Sequence, residues 1–177
     1  MRVAYQGLPG AFSHEACLTF LPDDEPFGRA TFAEVIDAIL HDEADLGMLP
    51  YENNAVGPVE EVQALLADCP LAIVARHQLP IRMHLLGLPG TDLGQVTTAV
   101  SHPMALKQCA ETLGRMGLSM QPASNTAVAA QALSDPNKAV IASEAAAEAF
   151  GLVILQRDVH DHKDNATTFV VLARAAA

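Results

Sequence analysis

The sequence predicts an α/β protein of two lobes, with mostly parallel sheets and helices on both faces. Three observations carry that expectation. Short apolar runs alternate with stretches of helical period, the near-continuous apolar run from Leu71 to Leu88 is broken midway by Pro80, and four strand-to-helix junctions carry small hydroxyl or amide side chains. With 177 residues, half of them apolar, the chain can bury a sizeable core. It has 21 Asp and Glu against 10 Lys and Arg, a formal net charge of −11, which is the wrong sign for a surface that neutralises nucleic-acid phosphates.

In chain order, strands are predicted at Val3 to Gln6, Asp45 to Leu49, Leu71 to Arg76, His84 to Leu88, Val96 to Val100, Ala139 to Ser143 and Thr168 to Ala173. Between them, Phe32, Val35, Ile36, Ile39 and Leu40 fall on one helical stripe, and Val59 to Leu66 and Ala105 to Met116 have similar faces. Pro80 would remove a ladder hydrogen bond from a central strand, so the chain is expected to cross between lobes there. Residues 1–76 with 160–177 then form a first, discontinuous lobe and residues 77–159 a second, the last strand returning to the first lobe.

The chemistry gathers where strands give way to helices. Gly7 to Ser13 is a Gly- and Pro-rich turn with Ser13 as N-cap, Pro50 to Asn54 follows a strand, Ser101 is expected to cap a helix that has Pro103 in its first turn, and Ser124 to Thr126 precedes the Ala-rich helix Ala127 to Leu133. Helix N-termini offer unpaired N–H donors and partial positive charge, and open α/β sheets bind ligands at the carboxyl ends of their strands. Facing lobes with such junctions would make a cleft suited to a small anion. Each junction taken alone is also what a well-capped helix requires.

Other chemistries lack their patterns. No G-x-G-x-x-G or GK[ST] loop implies a nucleotide. Cys17, Cys69 and Cys109 are odd in number and far apart, which fits neither a disulfide framework nor zinc, and they read as small apolar residues. His160-Asp161-His162 reads as a solvated loop, so no metal is predicted. Adjacent Ser101 and His102 do not set a hydroxyl on an imidazole. There is no leader-length apolar stretch at the N-terminus and no window near the ~18 to 20 apolar residues of a membrane span, so a cytoplasmic protein is expected.

Taken together, these segments resemble the catalytic domain of prephenate dehydratases. Ala4 to Ala16 is similar to the family's opening glycine-rich segment, Leu49-Pro50-Tyr51-Glu52-Asn53-Asn54 to its P-I-E-N-S motif, Ser101 to Leu106 to S-H-P-x-A-L, and Asn125 to Ala130 to D/S-T-A-x-A-A. Ala139 to Leu155 resembles the end of the family's second lobe, and Asn165-Ala166-Thr167-Thr168-Phe169 stands where the family has N-x-T-R-F. The resemblance implies a fold like the type II periplasmic binding proteins, with the active site in the cleft between lobes. It implies a carbon-oxygen lyase of phenylalanine biosynthesis that turns prephenate into phenylpyruvate without a cofactor, assembled as a homodimer or larger homo-oligomer. Thr167 would donate to the leaving hydroxyl, with Glu52 and Asn53 shaping or polarising the site. Gly10, Ala11, Phe12, Asn54, Ser101, His102, Thr126, Thr168 and Phe169 would hold the substrate. The family often adds a C-terminal ACT domain that senses phenylalanine, and no such domain is expected in this chain.

Two positions depart from the motifs. Thr168 replaces the arginine of T-R-F and Asn54 the serine of E-N-S. A guanidinium forks onto a carboxylate as threonine cannot, so Lys107, Arg82 or Lys163 would have to supply the cation, or the substrate or outcome differs. The alternatives are a decarboxylase that keeps the ring hydroxyl and a non-catalytic protein that binds small anions.

Overall fold

The computed structural model describes residues 1–175. In chain order it runs β1 (Arg2–Gln6), α1 (Phe12–Phe20), β2 (Glu25–Arg29), α2 (Phe32–Leu40), β3 (Leu46–Asn53), β4 (Gly57–Pro58), α3 (Glu60–Ala67) and β5 (Leu71–Pro80). Then come β6 (His84–Gly87), β7 (Thr98–Ser101), α4 (Pro103–Arg115), β8 (Ser119–Pro122), α5 (Thr126–Gln131), β9 (Lys138–Ala142), α6 (Glu144–Phe150), β10 (Val153–Gln156) and β11 (Ala166–Arg174). Two compact units result. Met1–Leu8, Phe12–Ile81 and the chain from Asn165 onward form the first, and Pro9–Ala11 with Arg82–Asp164 the second. Both crossings fall a few residues later than the sequence suggests, because β5 stays paired with β11 as far as Pro80. β5 is an edge strand, where a proline costs little. The last two residues of the expected 160–177 segment lie outside the described ones.

The sheet of the first unit has the order β2-β1-β3-β11-β5, with β4 beside β3. β1 runs parallel to β2 and β3, whereas β11 is antiparallel to both β3 and β5. In the second unit the order is β10-β6-β9-β7-β8, parallel around β7 and antiparallel around β6. The sheets are therefore mixed, which corrects the expectation of mostly parallel ones. An apolar run reveals a strand but not its direction, and apart from the short β3–β4 pair the antiparallel pairs all involve the strands nearest the two crossings, β5, β6 and β11.

Thr31 starts α2 by accepting from the Glu34 N–H, and the Glu34 carboxylate accepts in return from the Ala30 N–H. The stripe of α2 buries Val35, Ile36 and Ile39 against Leu49, Val170 and Leu172, each such side chain worth about 1.5–3 kcal/mol. Leu40 is 41% exposed and leaves that stripe. Gly47 lets α2 lie close on β3, since a Cβ there would meet Ile39 Cδ1 at 2.7 Å. In the second unit Leu86, Val100, Val140 and Ala142 pack beneath the alanines of α5 and α6.

β3 does not stop at Leu49 as predicted. It continues through Pro50 to Asn53, because pairing with β11 jumps from Thr168↔Glu52 to Phe169↔Pro50 and leaves Tyr51 as an extra residue. Such a bulge accommodates the missing proline N–H and re-aims neighbouring side chains. Glu52 and Asn53 are thus strand residues rather than loop residues.

Candidate active site

In the first unit the end of β3 and the start of β11 bring two of the sequence motifs into direct contact. Thr167 and Asn53 are cross-strand partners, 8% and 9% exposed. Asn53 Nδ2 donates to Thr167 Oγ1 and to Asn165 Oδ1, both at 2.8 Å. Asn53 Oδ1 accepts from the Ala55 and Val56 N–H groups at 2.8 and 3.0 Å. Its amide orientation is fixed by these backbone donors, so the nitrogen has to face Thr167. Sequence reasoning misses Asn165 as a site residue, although its place two residues before Thr167 in the motif points to it.

Thr168 lies on the other face of the sheet, as strand alternation requires. It stands opposite Glu52 on one side and Gln78 on the other. These three, with Asn53, Asn54, Gly57, Pro58 and Ala166, line a pocket of about 290 Å³. Glu52 and Gln78 are exposed. Asn54 ties the two strands together, its N–H donating to the Ala166 carbonyl and its Oδ1 accepting from the Ala166 N–H at 2.8 Å. Phe169 is 1% exposed and belongs to the core.

In the second unit Ser101 is fully buried at the end of β7. Its hydroxyl donates to the Ile141 carbonyl at 2.8 Å and lies 3.1 Å from Thr126 Oγ1. It is not the cap of α4. His102 takes that place, its Nδ1 accepting from the Met104 N–H, with Pro103 at the first helical position. Thr126 opens α5, which Asn125 caps through the Ala127 and Val128 N–H groups. Gly10 is buried at φ +90°, and a Cβ there would come within 2.6 Å of Ala146 Cα. The Gly10 carbonyl accepts from Ser143 Oγ at 2.6 Å, while Ser143 Oγ itself accepts from the Ala146 N–H to cap α6. Sequence reasoning misses Ser143 as well. Its position directly before Glu144, at the end of an apolar run, is the N-cap signal that marks it.

Ala11 and Phe12 are half-buried, and Phe12 begins α1. Ser13 therefore lies inside the first turn of α1 instead of capping it. The His14 ring packs on Tyr5 at 5.2 Å between centroids, and burial holds its pKa below the ordinary value.

The segment expected to be a solvated loop is anchored. His160 is 3% exposed, and its Nδ1 accepts from the Met83 N–H at 3.2 Å. His84, 2% exposed, accepts from the Asp158 N–H in the same way at 3.0 Å. Asp161 accepts from the Glu111 and Thr112 N–H groups of α4, contacts that keep its carboxylate pKa low against the opposing effect of burial. Burial lowers the pKa of both histidines. The described residues contain no group of three or more His, Cys, Asp or Glu able to hold a metal ion.

Mixed open sheets in two α/β units, with polar side chains gathered at strand ends, are a fold this chain shares with bacterial lipoproteins of low sequence identity. A Bacillus subtilis lipoprotein shares the fold at TM-score 0.53 and 12% identity, over 99% of this chain and 83% of its own. The chain belongs to the prephenate dehydratase family, whose model matches residues 3–177. Arogenate dehydratase/prephenate dehydratase 1 of Arabidopsis thaliana, a chloroplastic protein, is 36% identical over 98% of this chain and 45% of its own length. A bifunctional N-acyl-homoserine lactone acylase/prephenate dehydratase of Komagataeibacter europaeus is 35% identical over 99% of this chain and 63% of its own. The solved prephenate dehydratase of Arthrobacter aurescens, in complex with L-Phe, superposes at TM-score 0.90 with 26% identity, over all of this chain and 61% of that one. The chain thus spans less than half the length of its plant relative.

Proposed function

We propose that this chain carries out the decarboxylating dehydration of prephenate or its amino-acid counterpart, releasing a phenyl ring on a three-carbon acid side chain without a cofactor. The observation that carries the reading is the direction of the Asn53–Thr167 hydrogen bond. Thr167 Oγ1 accepts from Asn53 Nδ2, so the threonine keeps its own hydrogen to donate. In the reaction one carboxylate leaves as carbon dioxide, its electron pair completes the aromatic ring, and the ring C–O bond breaks to release hydroxide. Thr167 donates its hydrogen bond to that departing oxygen. A threonine hydroxyl is a weak acid, so its contribution is a preorganised donor in a buried setting rather than full proton transfer. Aromatisation supplies much of the driving force, which leaves orientation as the main task.

Incubation of the purified protein with prephenate and identification of the product tests the reading. Phenylpyruvate is expected, and Thr167→Val, which keeps the shape and removes the donor, should lower kcat by about 10²- to 10³-fold while the protein stays folded. A non-aromatic decarboxylated acid would instead establish a decarboxylase, and unchanged prephenate that raises the melting temperature a binding protein.

No helix among the described residues is long and apolar enough to cross a membrane. The three cysteines are free, which supports a reducing compartment, and we place the protein in the cytoplasm on that basis. A homo-oligomer is supported by the long edge strand β5, on which Ile73 and Val74 are 39% and 55% exposed.

A further inference from the structure

The buried Thr167 hydroxyl hydrogen-bonds, among the described residues, to Asn53 and to no other group, so its orientation depends on that amide alone. The two ends of the Asn53 amide are held by different surroundings. Its Oδ1 accepts from the Ala55 and Val56 N–H groups, which belong to an exposed turn between β3 and β4. Exposed turns are the parts of a fold that open most easily. Its Nδ2 gives one hydrogen to Thr167 Oγ1 and the other to Asn165 Oδ1, both at 2.8 Å. Asn165 is buried, and its own carbonyl accepts from the Ile81 N–H at 2.8 Å. Ile81 is the last residue of the first unit before the chain leaves it, and Asn165 is the first on its return. The next residue, Ala166, pairs with Pro80 of β5 and is bonded to Asn54 through both its N–H and its carbonyl. Asn165 thus ties the nitrogen end of the amide to the sheet, whereas a surface turn holds the oxygen end.

We infer that Asn165 is a positioning residue for the dehydration: by accepting the second Asn53 N–H it holds the amide nitrogen toward Thr167 and keeps the threonine hydrogen available for the leaving oxygen. The inference rests on the proposed dehydratase reading and deepens it, since Asn165 acts through Asn53. Without this acceptor the amide is fixed only from the turn. A rotated amide presents Oδ1 to Thr167, and the threonine then spends its hydrogen on Asn53. Aspartate at position 165 still supplies an acceptor, whereas leucine, of similar size, supplies none.

Steady-state kinetics with prephenate or its amino-acid counterpart, whichever the wild type consumes, separate this role from a merely structural one. Asn165→Leu should lower kcat by about tenfold, less than removal of the donor itself, with KM changed by less than about threefold, because the donor acts as the oxygen departs. Asn165→Asp should return kcat to within about threefold of the wild type. In Asn53→Asp the threonine hydrogen is already committed, so adding Asn165→Leu to that variant should lower kcat no further, the non-additivity expected of residues acting through one contact. Val62→Ala, which weakens the core of the same unit away from these residues, should lower Tm and leave kcat unchanged. If Asn165→Leu does not fold, Asn165→Ala makes the same comparison. A folded variant without the acceptor that keeps kcat within about twofold, a loss that aspartate does not restore, or a further loss in the double variant overturns the inference and leaves the dehydratase reading standing. If the wild type consumes neither substrate, the dehydratase reading fails and this inference fails with it.

Discussion

Replacing Asn53 with aspartate would reverse one hydrogen bond and leave the shape of the side chain unchanged. In the wild type Nδ2 donates to Thr167 Oγ1 and Asn165 Oδ1, while Oδ1 is fixed by the Ala55 and Val56 N–H groups. An aspartate keeps the second pair and turns the donor into an acceptor. Thr167 then has to give its hydrogen to the introduced carboxylate, and Asn165 Oδ1 faces an oxygen. One opposed buried contact costs about 1–3 kcal/mol, which for a chain of this size lowers Tm by roughly 3–10 °C. The effect on catalysis should be larger, because the hydrogen that Thr167 would offer the leaving hydroxyl is now committed. Losing one preorganised donor costs about 10²- to 10³-fold in kcat. A carboxyl buried beside two oxygens has its pKa raised, and in the protonated form it can donate again. Turnover by Asn53→Asp should therefore recover in part as pH falls. Steady-state kinetics from about pH 5 to 8 together with a thermal melt measure all three effects, the range spanning the raised carboxyl pKa. If Asn53→Asp turns over within a few-fold of the wild type at neutral pH, the hydrogen-bond direction is irrelevant and the argument for Thr167 collapses.

The buried histidines give a second expectation. His84 faces Asp158, Arg157, Glu144 and His160, and His160 faces Lys163, Asp158 and Arg82, yet burial is the largest influence on both and lowers their pKa. Each Nδ1 accepts a backbone N–H, so both rings are neutral in the fold, and the Asp158 carboxylate at 3.9 Å from His84 is no ion-pair partner in that state. Their contribution to stability is complete above the unfolded value of 6.5 and is lost as pH falls below it toward the depressed folded values. Urea unfolding from about pH 5 to 8 should show that loss, and His84→Asn with His160→Asn should flatten it. An equally steep profile in the double variant would remove the histidines from the explanation. Arg82→Ala and Lys107→Ala should raise KM for the dianionic substrate by about tenfold at one of the two positions, and unchanged KM in both would exclude them as its cationic partners.

Much of the fold is legible because packing imposes periodicity. The stripe of α2 and the apolar runs of β1, β3, β6, β9 and β11 are buried on the sides their patterns imply. The edge strands β2 and β8 are not legible. Both contain proline, and the four residues of β8 are exposed, so neither forms an apolar run. Pro50 conceals the end of β3 for a related reason. Proline signals a break, but a bulge in the β11 pairing absorbs it, and that pairing depends on residues more than a hundred positions away. The same long-range register decides the candidate site. Motif order places Thr167 and Thr168 side by side in sequence, and strand alternation then sends them to opposite faces, one into a buried amide network and the other into an acidic pocket. Sequence spacing could suggest both as binding residues, but only the register separates their surroundings.

That separation bears on how an acidic chain could hold a dianion. Most of its ten Lys and Arg residues are already engaged. Arg29 pairs with Glu43, Arg157 with Glu144 and Arg174 with Asp42, and Arg2 donates to the Glu43 carbonyl. Arg115 donates to Thr112, Lys138 to Gln121 and Arg76 stacks on Tyr51. Lys163, one of three cations expected to replace the missing arginine, donates to the Asp158 and His160 carbonyls. Among the described residues Arg82 and Lys107 are the two whose charged ends form no hydrogen bond, ion pair or ring contact, and both are exposed. Both belong to the second unit, whereas the Thr168 pocket of the first unit presents a carboxylate. The cations still open to an anionic ligand are therefore Arg82 and Lys107 on the second unit, with Arg76 of the first held on the Tyr51 ring.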